Sequence, residues 1–224
     1  MIGCGLGSQI ALLAARFGFL NFKLIDGDNV SFDNLNRQAF RYNHVGRNKA
    51  EVLSEMLLDI NPNINVHYDP HYLKNMSKAE ELIGFSDFVI NMADPDPVMY
   101  HINNYAQSRG KMVLFPLNIM WGGYCLVFKA DTPRLQDLLG GKKIMGPKFY
   151  VEVVERTFET FPPHLLRYYK KKGAALVSQG FFPQLGSTAY LTSSIVVSTM
   201  VRSLANLPVK LAPNPIFLDT WEEG

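Results

Sequence analysis

Leu24-Ile25-Asp26-Gly27-Asp28-Asn29-Val30-Ser31-Phe32-Asp33-Asn34-Leu35-Asn36-Arg37-Gln38, followed by Val45-Gly46-Arg47-Asn48-Lys49, sets the architecture of this chain. The end of an apolar strand delivers a carboxylate, and a polar loop then supplies Asn, Arg, Gln and Lys. That run reads as a nucleotide site with a set of cations for phosphates. Upstream, Gly3-Cys4-Gly5-Leu6-Gly7-Ser8 opens a stretch, 8–18, whose apolar residues fit an amphipathic helix. Glycines at a strand-to-helix turn let a phosphate approach the backbone, and the free N–H groups and dipole of the helix start favour the anion. Asp26 follows Gly7 at about the 20-residue offset at which an acidic residue ends the second strand of a Rossmann-type unit and accepts from a ribose hydroxyl. A glycine-rich turn alone is a weak signal; the joint pattern points to adenosine bound at strand ends.

The run 3–49, with the later Phe88-Val89-Ile90-Asn91-Met92-Ala93-Asp94, resembles the ThiF family, the adenylyltransferases of thiamin and molybdopterin synthesis, homologous to the adenylation domains of ubiquitin-activating enzymes. The resemblance covers about 2–130 well and 183–219 loosely, as a closing helix and strand. Its core is Asp-x-Asp-x-Val, then Asn-Leu-x-Arg-Gln and Gly-x-x-Lys. It implies that Asp26 holds the ribose, that Asn34, Arg37 and Lys49 contact the triphosphate and the developing pentavalent phosphorus, that Gln38 braces the loop and that Asp94 holds magnesium. The glycine loop departs from the family pattern, Gly-x-Gly-Gly-x-Gly before the Ser, because Ile2 and Cys4 stand where glycines are usual. It is expected to be one residue short or differently shaped. The first strand is expected to be nearly absent, with the helix that relatives carry before it, which in them can deliver an arginine to the partner subunit's site.

The chemistry supports these roles independently. Attack of a carboxylate on the α-phosphorus of ATP brings two anions together, so catalysis is mostly charge neutralisation and alignment by Arg, Lys and a metal. No general base is required, because the nucleophile is already ionised near neutral pH. Each residue also has a plain structural reading. Lys49 opens a helical pattern with Val52, Leu53, Met56, Leu57 and Ile60 and alone would be a solvated face residue. Asn34 and Arg37 alone would be ordinary loop residues. Asp94 precedes Pro95, a common turn or cap arrangement; its place after an apolar strand raises it, since ligands in open α/β sheets collect beyond the carboxyl ends of strands. Asp28 is read as a metal-side or supporting carboxylate, or as a loop cap.

At 224 residues and 47% hydrophobic content, the chain can bury a substantial core. A net charge of +2 is too mild to argue for nucleic acid. No signal peptide is apparent, and residues 185–204 carry too many Ser and Thr for a membrane span and suit a buried or dimer-facing helix. Of the two cysteines, Cys4 lies in the glycine loop and Cys125 in an apparent strand. Neither forms a Cys-x-x-Cys pair, so the structural zinc of many relatives is not expected. No cysteine follows Lys129, where relatives that form a thioester or persulfide usually place theirs. Both are read as buried packing residues in a reduced cytoplasmic setting.

Strands are predicted at 22–26, 66–68, 87–91 and 112–115, with helical patterns starting at 8, 47, 77 and 97. This is the alternation of an α/β chain with a Rossmann-like, mostly parallel sheet flanked by helices. After Pro116 the alternation changes: 121–129 and 214–219 read as antiparallel additions, the last an edge strand. The whole, 1–224, is read as one adenylation domain, with a nucleotide-binding part to about 116 and a substrate-facing part beyond. The segment 131–184 holds Gly140-Gly141-Lys142-Lys143 and the basic aromatic run 167–173. In the family a crossover loop here passes over the substrate's extended tail, and the run is read as a guide for that tail or as a solvated helix face. His164, after two prolines, reads as a loop residue, and His44, His67, His71 and His101 show no metal spacing.

The resemblance implies an ATP- and magnesium-dependent adenylyltransferase acting on the C-terminal carboxylate of a small ubiquitin-like or sulfur-carrier protein, or a peptide, as a homodimer and without a catalytic cysteine on this chain. Neither nucleic acid nor membrane is expected as a partner. Two rivals are a dinucleotide-dependent oxidoreductase, which leaves Asn34, Arg37 and Lys49 unexplained, and a non-catalytic nucleotide-binding scaffold of the same fold.

Overall fold

The computed structural model describes residues 1–159, 162–168 and 184–221. Six strands and eight α-helices are assigned among them: α1 (Gly5–Arg16), β1 (Asn21–Ile25), α2 (Lys49–Ile60), β2 (Asn65–Asp69), α3 (Met76–Gly84), β3 (Phe88–Ile90), α4 (Pro97–Ser108), β4 (Met112–Ile119), β5 (Gly122–Phe128), α5 (Leu135–Leu138), α6 (Lys148–Thr157), α7 (Pro163–Tyr168), α8 (Gly186–Leu204) and β6 (Ile216–Asp219). β1 pairs with β2 and β3 with β4 in parallel, whereas β4, β5 and β6 run antiparallel to one another in turn. This is the predicted mixed α/β sheet, with β6 at its edge.

Residues 1–3 join the two halves of the sheet. Ile2 bridges Ile25 on one side and Asn91 on the other; its N–H donates to Ile90 O at 3.0 Å, and Gly3 N–H donates to Ile25 O at 2.9 Å. Residues 1–3 thus sit between β1 and β3, and the order across the sheet becomes β2, β1, residues 1–3, β3, β4, β5, β6.

Side chains alternate between two cores. Met112 and Leu114 of β4 join Ile10, Ala14, Leu53, Leu57, Val196 and Met200, from α1, α2 and α8. Val113, Phe115, Leu117 and Ile119 join Ile83, Tyr100, Leu135, Phe149 and Leu165, from α3 to α7. Every residue of β4 and β5 is buried, which explains their continuous apolar sequence: helices cover both faces.

Three boundaries differ from expectation. Helix α1 begins at Gly5 rather than near Ser8, because Gly3, at φ +90°, turns the chain directly into it. Strand β4 continues through Pro116 to Ile119 instead of ending at 115. Leu114 O accepts from Asn91 N–H on the β3 side, and two residues on Pro116 faces that same side beyond the end of β3, where its missing N–H has no bond to break. His164 lies in α7 rather than in a loop; its Nε2 is 2.8 Å from Asp219 Oδ2 and its ring stacks on Trp221, tying α7 to the end of β6. Residues 169–173 of the basic aromatic run, and residues 160–161 and 174–183 of the segment expected to carry the crossover loop, lie outside the described residues. Among the described residues, no helix is long and apolar enough to cross a membrane.

Candidate active site

A cavity of about 410 Å³ opens beyond the carboxyl ends of the strands, from Asp26 after β1 to Phe115–Asn118 of β4. Gly3, Gly5, Asp26, Asp28, Arg37, Gln38, Lys49 and Asp94 all line it. Eight of the residues singled out in the sequence are therefore brought together, although they come from segments as distant as the first loop and the turn after β3.

Gly3 shapes its floor. A Cβ there would lie 2.7 Å from Met92 O, and its φ of +90° disfavours any side chain. The N–H of Cys4 then donates to Asp26 Oδ2 at 2.6 Å, and the N–H of Asp28 donates to Asp26 Oδ1 at 2.8 Å. Asp26 is thereby fixed in plane beside the start of α1, where the amides and helix dipole favour an anion. Burial raises its pKa, against the lowering effect of those two backbone donors.

Lys49 is the first residue of α2, whose N-cap Asn48 accepts from Ala50 and Glu51 N–H at 2.9 and 3.1 Å. Its Nζ lies 2.9 Å from Asp28 Oδ2 with only 7% of the residue exposed. Tyr72 donates its hydroxyl to the other Asp28 oxygen, and its ring lies so close to Gly27 that a Cβ there would overlap it. Desolvation works to raise the Asp28 pKa, but Lys49 and Tyr72 outweigh it and leave it below the ordinary value. Asp28 is thus an anchor for the lysine.

The loop carrying Arg37 is pinned to α1. Ser8 Oγ donates to Gly5 O at 2.7 Å and accepts from Ala39 N–H at 2.9 Å. Gln38 packs against Gly5, 3.1 Å from where a Cβ would stand. Arg37 donates to Asp33 O and Asn36 Oδ1, both at 2.8 Å, and to Gln184 Oε1 at 3.2 Å. These acceptors are neutral, and the Asp33 carboxylate is close enough for Arg37 to help lower its pKa. Asp94 is exposed at the mouth of the cavity. Desolvation of its carboxylate raises its pKa, helped by repulsion from Asp28 and Asp96 and opposed by Lys49. Asp96, not Asp94, caps α4, accepting from Met99 N–H at 2.9 Å.

Two singled-out residues do not reach the cavity. Asn34 is buried in the 3-10 turn Phe32–Asn34, its Oδ1 accepting from Ser31 N–H at 3.3 Å. Gly7 packs α1 against Met1 and Met92, whose side-chain tips a Cβ would meet at 2.9 Å. Conversely, Tyr72, Leu73, Tyr150, Gln184 and Asn118 line the cavity without having been singled out. Asn118 alone had a usable signal, as an amide inside an otherwise apolar strand run.

Among the described residues, no group of three or more His, Cys, Asp or Glu could hold a metal by itself. Mg²⁺ does not require one, since it is usually held by one or two carboxylates together with substrate phosphates and water; Asp94 suits that role. Both cysteines are free and fully buried. Burial pushes the Cys125 thiol up to about 12, and burial followed by the charge of Asp26 pushes Cys4 higher still.

The ThiF family profile matches residues 1–224. Similar curated proteins include SUMO-activating enzyme subunit 2 of Dictyostelium discoideum, 32% identical over 48% of this chain and 16% of its own, and adenylyltransferase and sulfurtransferase uba4 of Aspergillus clavatus, 30% identical over 61% and 28%. The chain thus spans less than a third of the length of either. Among solved structures, that of PaaA matches with a TM-score of 0.68 at 21% identity, over 96% of this chain and 66% of the other. MccB of E. coli with ATP matches with a TM-score of 0.68 at 16% identity, over 98% and 59%. These last two likenesses carry the fold alone.

Proposed function

The chain belongs to the ThiF family, and on that premise we propose that it adenylates the C-terminal carboxylate of a small ubiquitin-like or sulfur-carrier protein, or of a peptide, using ATP. The observation that carries this reading is the convergence of Asp26, Arg37, Lys49 and Asp94 on one cavity at the carboxyl ends of the strands. In the reaction, a carboxylate oxygen of the tail bonds to the α-phosphorus as the bond to the β-phosphate oxygen breaks. Pyrophosphate leaves, and no proton has to move.

Each residue then has a physical task. Asp26, held by two backbone donors, accepts from the ribose hydroxyls. The amides at the start of α1 and the side chains of Arg37 and Lys49 bear the negative charge of the phosphates. Both cations rest on protein acceptors that a triphosphate can replace, Lys49 on Asp28 and Arg37 on Gln184. Gln38 holds the arginine loop against α1. Asp94 would hold Mg²⁺, which would supply positive charge to offset that of the phosphates. Asn34 serves at one remove, by fixing the turn from which Arg37 projects, and Gly7 by letting α1 sit close to Met92.

The substrate is activated without a thiol from Cys4 or Cys125, since both are buried and held as neutral thiols. Their free state suits a reducing compartment such as the cytoplasm. A homodimer is supported by the exposed aromatic pair Phe32 and Tyr42, with ring centroids 6.5 Å apart, on the loops flanking Arg37.

Pyrophosphate–ATP exchange with magnesium, with and without carrier proteins ending in Gly-Gly, tests this reading. Exchange that requires the carrier and collapses in Arg37→Ala and Asp94→Ala is expected. ATP binding without exchange would instead mark a nucleotide-binding scaffold, and tight NAD binding would overturn the reading.

A further inference from the structure

The cavity has two ends. The β1 end holds Asp26, Asp28 and Tyr72, and the β4 end holds Phe115–Asn118; residues 1–3 and β3 lie between them. With the nucleoside at the β1 end, the acyl group must lie towards β4. There, Asn118 is a polar side chain only 5% exposed in a wall of Phe115, Pro116 and Leu117.

Its orientation is set by α8. Gly123 lets that helix approach β5 so closely that a Cβ would lie 2.6 Å from Thr192 N. Thr192 is thereby pressed against the end of β4, where its hydroxyl donates to Asn118 Oδ1 at 2.8 Å and lies 3.2 Å from Leu117 O. The carbonyl end of the Asn118 amide is engaged, and its NH2 makes no hydrogen bond to a described residue. Arg37 belongs to the same rim: the main chain of Gln184, whose side chain accepts from Arg37, bridges Met120, two residues beyond Asn118.

We propose that Asn118 is a substrate-orienting residue that donates its NH2 to the non-attacking oxygen of the tail carboxylate, the oxygen that becomes the acyl carbonyl of the adenylate, with Thr192 as its positioning residue. This inference rests on the adenylation reading. A neutral amide donor suits an oxygen that is part of an anion before attack and a carbonyl afterwards, because it favours both without trapping the anion as a second lysine would.

The test compares the binding of 5′-O-sulfamoyladenosine with that of 5′-O-[N-(N-acetylglycyl)sulfamoyl]adenosine, which adds the acyl carbonyl of a capped glycine, without a free ammonium, to the same nucleoside. The wild type is expected to prefer the acetylglycyl compound. Asn118→Asp, of the same shape but with a charged oxygen in place of the donor, should lose at least about ten- to a hundredfold of that preference, with sulfamoyladenosine, which is neutral, still bound as the control for folding. Thr192→Val should erode the same preference, and Thr192→Ser should restore it. An unchanged preference in Asn118→Asp, or none in the wild type, overturns the role of Asn118 while leaving adenylation standing. A wild type that binds neither compound brings down the adenylation reading and this inference together.

Discussion

In the cavity, Lys49 Nζ lies 2.9 Å from Asp28 Oδ2, so the most buried cation of the site is held by the carboxylate two residues beyond the proposed ribose ligand. The pair gives the buried ammonium a counter-charge, and it releases the lysine when phosphates offer more negative charge.

Lys49→Met keeps most of the aliphatic stem and should cut exchange by about 10²–10³-fold, the usual size of losing one charge-stabilising group. Asp28 is about half exposed, so the stability cost should be only about 0–1 kcal/mol. Because the Asp28 pKa is depressed, the pair's contribution is present above the ordinary carboxylate value of 3.8 and is lost as pH falls through the lower folded value. Thermal melts of wild type and variant should differ by a constant amount at neutral pH and converge in that acid window.

Asp94 has the opposite sign. Its raised pKa means that protonation favours the folded state, so its contribution to stability is greatest below 3.8 and is lost as pH rises through the raised value. Asp94→Asn should therefore be at least as stable as wild type at pH 7 while losing exchange. Asp96→Asn keeps the α4 cap but removes a repelling charge, and should move the acid limb of the exchange profile to lower pH.

Arg37→Lys should not rescue Arg37→Ala. The guanidinium bonds Asp33, Asn36 and Gln184 simultaneously, and a lysine cannot reproduce that fork. Exchange in both variants should fall by about 10²–10³-fold. A lysine variant with near wild-type exchange would show that only the charge matters.

Two glycines with the same backbone angle separate strain from space. Gly3 and Gly46 both have φ +90°, but only at Gly3 would a Cβ meet backbone, at 2.7 Å from Met92 O. Gly46→Ala should cost about 1–2 kcal/mol, and Gly3→Ala about 2–5 kcal/mol with loss of ATP binding. Urea unfolding measures both.

Native protein at pH 8 should resist iodoacetamide at Cys4 and Cys125, since burial keeps both protonated. Mass spectrometry should find both alkylated only after unfolding. Rapid native labelling coupled to loss of exchange would assign a thiol step to this chain.

The sequence made the cavity legible because most of its residues lie in contiguous segments at strand ends. Asp26, Arg37 and Lys49 follow one another within a strand, loop and helix start, where local spacing implies spatial proximity. Asn34 and Gly7 belong to those segments yet face away, because the direction of a side chain in a turn or helix depends on what packs behind it. Tyr72 and Gln184 reach the cavity from other segments and carried no local signal.

By itself, the sequence determined the α/β alternation and the cluster of anion-binding groups, because hydrophobic periodicity and short-range loop chemistry are local properties. Only the tertiary structure decided that residues 1–3 would join two half-sheets, that Tyr72 would hold the Asp28 carboxylate that restrains Lys49, and that α8 would turn the Asn118 amide towards the cavity. Those arrangements depend on backbone pairing and helix packing between residues far apart in the chain, and no local pattern encodes the orientation that such packing imposes.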